Sequence, residues 1–517
     1  MDITLSFKEI IQLLKDHKQF IDLSNEKQID EDNKNSLIKN LSFDSREYQK
    51  NGLFFCKGAN FKEEYLADAI SNGATSYLIE EKLLNKLNIN VAIPGIIVKN
   101  SQKSMALVAM HFYGYPQKKL RLIGITGTKG KTTTAFFIKS ILDQQNGHKT
   151  ALFSTVSTDV GNGSFPSTLT TPESLDLYCL MNQAVEQGYT DLVMEVSSQA
   201  YLMNRVFQLH YDLGIFLNIF PDHIGENEHP DFEDYLAHKL KLFKHSEAIV
   251  VHSNTLALPE IKQAVTENSA KVIWTGIDQE NQGDIHYTLG ETENHEEHVT
   301  FEVLENSLLV TGEPLTKTNF QLNLFGSVNL ENALVAIAAT RYLGCSEEEI
   351  QKGLAQVKVP GRMEMIVDSK RLIVVDYAHN GISLKKLLIW ANSYYPKGKK
   401  IVVFGCPGDK GISRRKDLGE IAAQLADYVI LTEDDPGFED SLAICQEVGT
   451  HLEGFVPFEI EIDRPKAIKK GLDLTESGDI LLVIGKGSDN FQKRKGINEP
   501  YLTDRQVVED TLNIVSE

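Results

Sequence analysis

A glycine-rich stretch between an apolar run and an amphipathic segment carries the strongest chemical signal in the chain. Residues 124–133 have the sequence Gly-Ile-Thr-Gly-Thr-Lys-Gly-Lys-Thr-Thr and follow the strand-like run 120–125. Glycines let a backbone curl so that its N–H groups point at phosphate oxygens, and the N-terminus of a following helix adds a positive dipole end. The pattern predicts a phosphate-binding loop formed by Gly127, Thr128, Lys129, Gly130, Lys131, Thr132 and Thr133.

Two side chains of this loop have chemistry of their own. Lys131 can reach the terminal phosphates of a nucleotide, and the hydroxyl of Thr132 can take a coordination position of Mg²⁺. The spacing differs from a strict Walker A motif, because Ile125 stands where the first glycine would be. A glycine-rich turn with an incidental lysine is the alternative interpretation. The loop alone indicates ATP or GTP and does not distinguish a kinase, an ATPase or a ligase.

Outside the loop, Glu195 is the residue whose surroundings point to a metal site. Glu195 lies in the apolar run 192–196, and a buried carboxylate is costly unless it is paired or bound to a metal. It is therefore a candidate for a second Mg²⁺ contact, with a capping or salt-bridged glutamate as the alternative. Because Mg²⁺ prefers oxygen ligands, spacing alone favours a structural role for His223. Spacing gives no reason to single out Lys239, which lies in an amphipathic segment.

The elements that must position these residues fall into three regions, residues 1–118, 119–356 and 357–517. The second has continuous apolar runs that predict buried parallel strands, and the alternating patterns at 299–303 and 320–324 predict half-buried antiparallel strands. The acidic stretch 291–297 between them is interpreted as a solvated loop. The third region repeats strand, loop and helix. This pattern predicts a doubly wound α/β domain with binding groups at the carboxyl ends of its strands.

Composition excludes several classes of protein. Of 517 residues, 42% are hydrophobic and 24% are charged, which is ordinary for a globular chain and excludes a disordered or collagen-like one. The net charge of −20 argues against a nucleic-acid or anionic-membrane partner. No apolar run reaches the about 18 residues of a membrane span, and the N-terminus lacks a secretory signal pattern. The five cysteines have no CxxC spacing, so we expect reduced thiols in a cytoplasmic, multidomain enzyme.

An ordered set of motifs now supports a family resemblance. The motifs occupy residues 127–132, 194–198, 218–223, 326–332, 360–364 and 376–379. Their order and spacing over essentially the whole chain resemble the Mur ligases, the ATP-dependent amide-bond-forming enzymes of peptidoglycan precursor synthesis. Within that family, residues 43–46, 170–172 and 485–492 resemble those of members that add the third residue of the stem peptide.

The resemblance implies an α/β fold of three domains. Residues 1–118 would form a uridine-nucleotide-binding domain that holds the UDP-sugar. Residues 119–356 would form a P-loop ATPase-like domain with an antiparallel strand addition, and residues 357–517 a Rossmann-like domain that binds the amino acid. A cytoplasmic monomer without nucleic-acid or membrane partners is expected. The substrates would be ATP, a UDP-N-acetylmuramoyl dipeptide and a diamino acid, with Mg²⁺ as cofactor.

The resemblance also assigns individual roles. Ser45 would contact the UDP-sugar, and the muramoyl dipeptide would be held by Thr170, Thr171, Ser197 and Arg205. The implied Mg²⁺ ligands are Thr132, Glu195, His223 and a Lys239 carbamylated by CO₂, so His223 gains a role that its spacing does not suggest. ATP would be contacted by the phosphate loop and by Asn329, Asn332, Arg362 and Asp376. The implied catalytic set is Lys131, Lys239, Asp376 and His379.

The amino acid can be argued from one loop. Relatives that add meso-diaminopimelate have Asp-Asn-Pro-Arg, whereas residues 434–437 here have Asp-Asp-Pro-Gly. Without the arginine, Asp434 and Asp435 suit a side chain that ends in an ammonium group. This favours L-lysine, and L-ornithine stays open because one methylene is worth only about 1–3 kcal/mol. Arg415 or Arg414 would bind the α-carboxylate, and Asp489 would contact the amino acid.

Two departures and two alternatives remain. Ser488 replaces a usual histidine of the family, and residues 222–230 depart from its usual pattern, so the roles of Ser488 and His229 stay open.

The implied reaction forms an acyl phosphate, which the amino group of the incoming amino acid then attacks. A folylpolyglutamate-synthetase-like ligase is one alternative, although residues 1–118 argue against it. The other is a non-catalytic binding subunit with a Mur ligase fold.

Overall fold

A computed structural model describes most of the chain. The described residues are 4–24, 36–58, 60–222, 224–225, 229–268, 270–276, 285–295, 298–306, 316–368, 371–409 and 411–514. They form two compact units, the first drawn from residues 1–291, 301–320 and 331–355 and the second from 292–300, 321–330 and 356–517. Among the described helices, none is both long and apolar enough to cross a membrane. The division into three domains stays a prediction.

The N-terminal part of the first unit has a five-stranded sheet of its own. Its elements are β1 (Leu5–Ser6), α1 (Phe7–Asp16), β2 (Phe20–Ser24), β3 (Leu37–Ile38), β4 (Asn40–Ser42), β5 (Gly52–Cys56), α2 (Glu63–Ser71), β6 (Ala74–Glu80), α3 (Glu81–Leu84), β7 (Gly95–Val98) and α4 (Ser101–Phe112). The strand order is β2-β7-β6-β5-β4, parallel from β4 to β7 with β2 antiparallel at one edge. This arrangement fits the expected α/β class.

An eleven-stranded sheet follows along the chain, and most of its residues belong to the first unit. Its elements are β8 (Arg121–Thr126), α5 (Lys131–Asn146), β9 (Thr150–Phe153), β10 (Ser157–Asp159), β11 (Ser164–Pro166), α6 (Ser174–Glu186), β12 (Asp191–Glu195), α7 (Ser198–Leu202), β13 (Tyr211–Phe216), α8 (Phe232–Lys244), β14 (Ser246–His252), α9 (Leu258–Thr266), β15 (Lys271–Gly276), β16 (Ile285–Asn294), β17 (Val299–Glu305), β18 (Thr316–Leu322), α10 (Ser327–Tyr342) and α11 (Glu347–Gln356). The strand order is β11-β10-β9-β12-β8-β13-β14-β15-β16-β17-β18.

The central strands of this sheet position the predicted phosphate loop. Strand β8 lies between β12 and β13 and is parallel to both. Nearly every residue of the three strands is buried, which explains their continuous apolar sequences and confirms the predicted parallel strands. Because parallel strands end at the same edge of a sheet, the segments that follow β8, β12 and β13 lie side by side.

The far end of the sheet confirms one expectation and corrects another. Strand β17 buries Val299, Phe301 and Val303 in alternation, as its sequence pattern predicts. The interpretation of the acidic stretch 291–297 as a loop is wrong for its first part, because β16 continues to Asn294. The side chains of residues 291–294 are exposed there. Backbone pairing can therefore extend a strand through residues whose side chains are fully solvated.

The second unit contains a six-stranded, largely parallel sheet. Its elements are β19 (Glu364–Asp368), β20 (Arg371–Asp376), α12 (Gly381–Tyr394), β21 (Lys400–Phe404), α13 (Ser413–Leu425), β22 (Tyr428–Leu431), α14 (Ser441–Gly449), β23 (Phe458–Ile460), α15 (Arg464–Leu474), β24 (Ile480–Ile484), β25 (Phe491–Arg494), β26 (Ile497–Pro500) and α16 (Asp504–Leu512). The strand order is β19-β20-β24-β21-β22-β23, and only the pair β19–β20 is antiparallel among the pairs of this sheet.

Helices cover both faces of this six-stranded sheet. Val374 of β20 packs in one apolar cluster with Leu388 of α12, whereas the adjacent Val375 packs in another with Ile468 of α15. Successive side chains of a strand point to opposite faces, so two separate clusters require a layer of helices on each side. The predicted doubly wound α/β architecture is confirmed.

Candidate active site

The phosphate loop occupies the turn between β8 and α5. Gly130 has φ +86°, and a Cβ atom at that position would lie 2.4 Å from Oδ1 of Asn332. The backbone conformation favours glycine there, and the side-chain amide of Asn332 occupies the space that a Cβ atom would need. The Nζ atom of Lys131 donates hydrogen bonds to the carbonyl oxygens of Gly127 at 2.9 Å and of Thr128 at 3.2 Å. The loop thus holds a positive charge directly over its own backbone.

An oxygen-rich cluster lies beside this loop. The buried hydroxyl of Thr132 donates to Oε1 of Glu195 at 2.8 Å. Thr155 donates to the same carboxylate through its N–H, at 2.8 Å, and through its hydroxyl, at 3.1 Å. Hydroxyl and carboxylate oxygens are the donors that Mg²⁺ prefers, so this pair fits the expected cofactor. The structure places Thr132 and Glu195 together, and it adds Thr155, which the sequence did not suggest.

Lys239 extends from α8 to the same loop. Its side chain is buried, and its Nζ atom lies 2.9 Å from the carbonyl oxygen of Gly127 and 3.5 Å from Oγ1 of Thr126. Burial holds the pKa of Lys239 well below its ordinary value, and the charge of Lys131 lowers that pKa further, against the opposing effects of Asp222 and Glu195. A buried lysine amine at a phosphate loop is a chemical feature that spacing alone does not reveal.

The segment after β13 forms hydrogen bonds with the phosphate loop. The Asn218 side chain accepts a hydrogen bond from the N–H of Lys129 at 2.9 Å and donates one to its carbonyl oxygen at 3.1 Å. The ammonium group of Lys129 lies 3.4 Å from Oδ2 of Asp222. The hydroxyl of Thr128 bonds to the backbone of Phe220. The predicted metal ligand His223 lies outside the described residues.

The residues expected to hold the dipeptide lie at the end of β12. Thr171 donates through its hydroxyl to the carbonyl oxygen of Glu195 at 2.9 Å, and it accepts from the N–H of Ser197 at 3.1 Å. The hydroxyl oxygen of Thr170 lies 3.1 Å from that of Thr155. These contacts join Thr170, Thr171 and Ser197 to the oxygen-rich cluster beside the phosphate loop.

Arg205 reaches this group through a glutamate that the sequence did not single out. Its guanidinium group donates to Glu173 at 3.0 Å and to the carbonyl oxygen of Thr171 at 3.3 Å. The other oxygen of Glu173 accepts from Lys57 at 2.7 Å, and Lys57 also lies 3.9 Å from the ring centroid of Phe43. Glu173 thus joins the cationic side chains of Lys57 and Arg205 within the first unit.

The structure places the N-terminal motif beside a cavity. The cavity has a volume of about 330 Å³ and its lining includes Phe43, Asp44 and Tyr113. Burial first, and then the charge of Glu173, raise the pKa of another lining residue, Asp176, to about 6. Ser45 belongs to this motif of residues 43–46, and its carbonyl oxygen accepts a hydrogen bond from the side chain of Asn72 at 2.8 Å.

A buried histidine explains part of the sequence departure near residue 229. His229 donates from Nδ1 to Asp234 at 2.6 Å, and its Nε2 atom lies 2.9 Å from the hydroxyl of Ser198, the first residue of α7. This hydrogen bond holds the pKa of Asp234 below its ordinary value. Potential ligand atoms of His229, Asp234 and His238 all lie within 4.8 Å of one another. Since both ring nitrogens of His229 already have partners, the geometry favours a structural role.

Replacing His229 with alanine should destabilise the protein. The change leaves the buried hydroxyl of Ser198 without this contact, and such losses cost about 1–3 kcal/mol. The expected result is a lower midpoint of urea unfolding with an unchanged slope. The matched control is His210→Ala, because the side chain of His210 is exposed. Equal midpoints for the two variants would contradict the structural role.

The second unit holds the remaining residues that are expected to contact ATP. Asp376, at the end of β20, accepts from the N–H groups of Met363 at 2.8 Å and of Ala378 at 2.7 Å. Burial raises the pKa of Asp376, and the nearby Arg362 acts in the opposite direction. The guanidinium carbon of Arg362 lies 4.5 Å from the ring centroid of Tyr377.

Two other predicted residues of this unit have backbone partners. The Nδ1 atom of His379 lies 2.8 Å from the carbonyl oxygen of Tyr377, and the side chain of Asn329 donates to the carbonyl oxygen of Phe325 at 2.7 Å. These contacts fix the orientation of both side chains. Asn329 belongs to the second unit, whereas Asn332 belongs to the first and lies against the phosphate loop.

Arg415 is held by acidic side chains of its own chain. Its buried guanidinium group lies 2.9 Å from both oxygens of Glu439 and 2.6 Å from Glu447. Arg414, the alternative for the α-carboxylate, is only half-buried. The geometry therefore makes Arg414 the more accessible of the two guanidinium groups.

The predicted amino-acid residues gather around a buried lysine. The Nζ atom of Lys486 lies 2.8 Å from Asp435, 3.7 Å from Asp489 and 4.0 Å from Asp434. The structure thus brings together the three carboxylates that the resemblance selects. Lys486 is the member of the group that the sequence did not single out, although its place between Gly485 and Gly487 is a visible signal.

Comparisons with known proteins agree with this geometry. Residues 125–340 match the Mur ligase middle domain, and residues 361–487 match the Mur ligase glutamate ligase domain. A UDP-N-acetylmuramoyl-L-alanyl-D-glutamate–L-lysine ligase of Enterococcus faecalis is 43% identical over 479 residues, which are 92% of this chain and 91% of that protein.

Solved structures share the fold over nearly the whole chain. A UDP-N-acetylmuramoyl-L-alanyl-D-glutamate–2,6-diaminopimelate ligase superposes with a TM-score of 0.64, 23% identity and 99% coverage of each chain. The MurF ligase of Thermotoga maritima, solved in complex with ADP, superposes with a TM-score of 0.59 and 20% identity, covering 92% of this chain and 97% of that one. With its motifs, its fold and its sequence relatives in agreement, the chain belongs to the Mur ligase family.

Proposed function

We propose that this protein is an ATP-dependent ligase that adds L-lysine to UDP-N-acetylmuramoyl-L-alanyl-D-glutamate in cytoplasmic peptidoglycan precursor synthesis. The observation that carries the proposal is the cluster at the end of β8 and β12, where Lys131, Thr132, Glu195 and Lys239 meet. The name and 43% identity of the Enterococcus faecalis relative support the substrates.

The residues of the first unit would activate the substrate carboxylate. That carboxylate attacks the γ-phosphorus of ATP and gives an acyl phosphate and ADP. The N–H groups of the loop and the ammonium group of Lys131 would hold the phosphates and offset the charge that develops during transfer. Mg²⁺, held by Thr132, Glu195, His223 and a carbamylated Lys239, would neutralise phosphate charge. Thr170, Thr171, Ser197 and Arg205 would hold the dipeptide, and Ser45 the UDP-sugar.

The residues of the second unit would bind the amino acid and part of the nucleotide. The amino group attacks the acyl carbon and phosphate leaves, so the amine must be held close to the acyl phosphate and water must be excluded. Asp434, Asp435 and Asp489 would attract the side-chain ammonium group, and Arg415 or Arg414 the α-carboxylate. Asn329, Arg362, Asp376 and His379 would contact ATP or the reacting groups, with Asn332 from the first unit.

Expectations on location, oligomeric state, partners and domain division belong to the same proposal. The chain would act as a cytoplasmic monomer with small-molecule substrates and no nucleic-acid or membrane partner. Residues 1–118, 119–356 and 357–517 would be its UDP-sugar, ATP and amino-acid domains. The net charge of −20 supports the absence of polyanionic partners.

Phosphate release tests the proposal directly. The reaction contains ATP, Mg²⁺ and the UDP-linked muramoyl dipeptide, with L-lysine, L-ornithine or meso-diaminopimelate added in parallel. We expect release with L-lysine, and at most a weaker rate with L-ornithine, because one methylene is worth only about 1–3 kcal/mol. Preference for meso-diaminopimelate would contradict the argument from residues 434–437. If none of the three amino acids gave phosphate release, the result would favour the non-catalytic binding subunit.

A further inference from the structure

A buried ammonium group lies among acidic residues at the carboxyl ends of the strands of the six-stranded sheet in the second unit. Lys486 follows β24, and Asp434 and Asp435 follow β22, two strands away on the same edge. The side chain of Lys486 has no exposed surface. A buried cation is retained only where opposite charges compensate for the loss of water. The surrounding carboxylates are therefore part of what holds this lysine in place.

The contacts of Lys486 are unequal. Its Nζ atom donates to Oδ1 of Asp435 at 2.8 Å, and the same oxygen accepts the N–H of Lys493 at 2.9 Å. Asp489 and Asp434 are farther from that Nζ atom, at 3.7 and 4.0 Å. The carboxylate of Asp435 is thus the one most fully satisfied by its own chain, while those of Asp489 and Asp434 have weaker contacts with the ammonium group.

The backbone around Lys486 is shaped to allow this approach. Gly485 has φ +110°, and a Cβ atom there would lie 2.8 Å from Oδ2 of Asp434. Gly487 also has a positive φ, +54°. Glycine on both sides lets the loop turn sharply and bring the lysine against the carboxylates. The position of Lys486 is therefore a built feature of the loop.

Charge is unbalanced within the cluster. Three carboxylates face one ammonium group, which leaves an excess of two negative charges when all are ionised. The pKa of Asp489 is raised to about 6, mainly by burial; Lys486 lowers that pKa, and Asp434, Asp435 and Asp504 raise it further. Tyr377 faces the same carboxylates. Burial likewise raises the pKa of Asp434; Lys486 and then the guanidinium group of Arg464 lower that pKa, while Asp435 and Asp504 raise it.

We propose that Lys486 is a positioning residue of the amino-acid site, whose buried ammonium group holds Asp435 in place and keeps the neighbouring Asp434 and Asp489 ionised to receive a second ammonium group, that of the incoming diamino acid. This inference rests on the proposed function for the identity of that second cation. Without Lys486, Asp434 and Asp489 would take up protons more readily and lose their attraction for the substrate. The lysine therefore strengthens substrate binding, although its charge has the same sign.

The kinetic test compares Lys486→Met with Lys486→Arg. At pH 7, Lys486→Met should raise the KM of whichever diamino acid the wild type uses by about tenfold, and KM for ATP should not change. Raising the pH should reverse part of that increase, because the carboxylates ionise again. Lys486→Arg keeps the charge and should show a smaller effect. An unchanged or lower KM in Lys486→Met would overturn the proposal, because it would mean that Lys486 competes with the substrate.

A second test needs no substrate. The pKa of Asp489 is raised in the folded state, so its ionised form destabilises the fold above about pH 6, and protonation removes that effect at lower pH. Removing Lys486 should enlarge this penalty. The melting temperature of Lys486→Met should therefore fall increasingly below that of the wild type from pH 5 to pH 8.

The matched control is Lys470→Met. Lys470 pairs with Glu459 and Glu461 at 3.3 and 3.2 Å, but its side chain is 41% exposed. Its effect on the melting temperature should be small and nearly independent of pH. Parallel curves for wild type and Lys486→Met would contradict the charge-setting role, even if the wild type ligates no amino acid. Diverging curves with an inactive wild type would instead count against the proposed function alone.

Discussion

Replacing Lys131 with methionine is expected to lower kcat by about 10³-fold while the protein stays folded. The ammonium group lies over the loop backbone, 2.9 Å from the carbonyl oxygen of Gly127. Charge on the γ-phosphoryl group spreads during transfer, so a cation at this position stabilises the transition state more than bound ATP. The loss should therefore appear in kcat more than in the KM for ATP. Initial rates of phosphate release at saturating amino acid measure both.

The control for Lys131→Met is Lys149→Met. Lys149 is an exposed lysine just before β9 and has no proposed role in the site. Its replacement should leave kcat within about twofold, because isolated surface charges contribute little. Similar melting temperatures for both variants would separate chemistry from folding. If Lys131→Met kept most of its kcat, the loop would bind phosphate without assisting its transfer, and the assignment of Lys131 would be wrong.

Much of the fold follows from sequence patterns because burial leaves a periodic trace. The continuous apolar runs of β12, β13 and β14 predict buried strands directly, and the structure has strands there. The extension of β16 to Asn294 was not, because exposed acidic side chains carry no record of backbone pairing. Apolar periodicity reports which side chains are buried. Hydrogen bonds between strands can continue through residues whose side chains are all exposed.

The site was predictable to the extent that its residues lie close in sequence. The loop from Gly127 to Thr133 carries its own signal, whereas the contact between Thr132 and Glu195 depends on the parallel pairing of β8 with β12. The partners Thr155 and Glu173 have no distinctive spacing, so the sequence does not single them out, whereas Lys486 lies between two glycines that mark its loop. The Arg415 contacts with two glutamates were equally invisible, because they join residues 24 and 32 positions apart.

Replacing Lys239 with arginine should lower kcat by about 10²- to 10³-fold. The Nζ atom of Lys239 is buried 2.9 Å from the carbonyl oxygen of Gly127, near Glu195, Asp222 and Lys131. A buried amine with a lowered pKa favours the neutral form, whose lone pair can attack CO₂; the product is a carbamate, and one proton is released. Carbamylation replaces a cation with an anion that offers two oxygens to Mg²⁺. Arginine keeps the positive charge and cannot supply that anion.

Two measurements separate carbamylation from mere loss of a buried side chain. Wild-type protein prepared without CO₂ should be less active and should recover when bicarbonate is added, whereas Lys239→Arg should respond to neither treatment. Incubation with ¹³C-labelled bicarbonate should give a carbamate carbon signal in the wild type that the variant lacks. If the wild type shows no such signal and its rate is insensitive to CO₂, Lys239 acts as an amine. Its role beside the loop would then be to hold the carbonyl oxygen of Gly127, and the Mg²⁺ site would be formed by its other ligands.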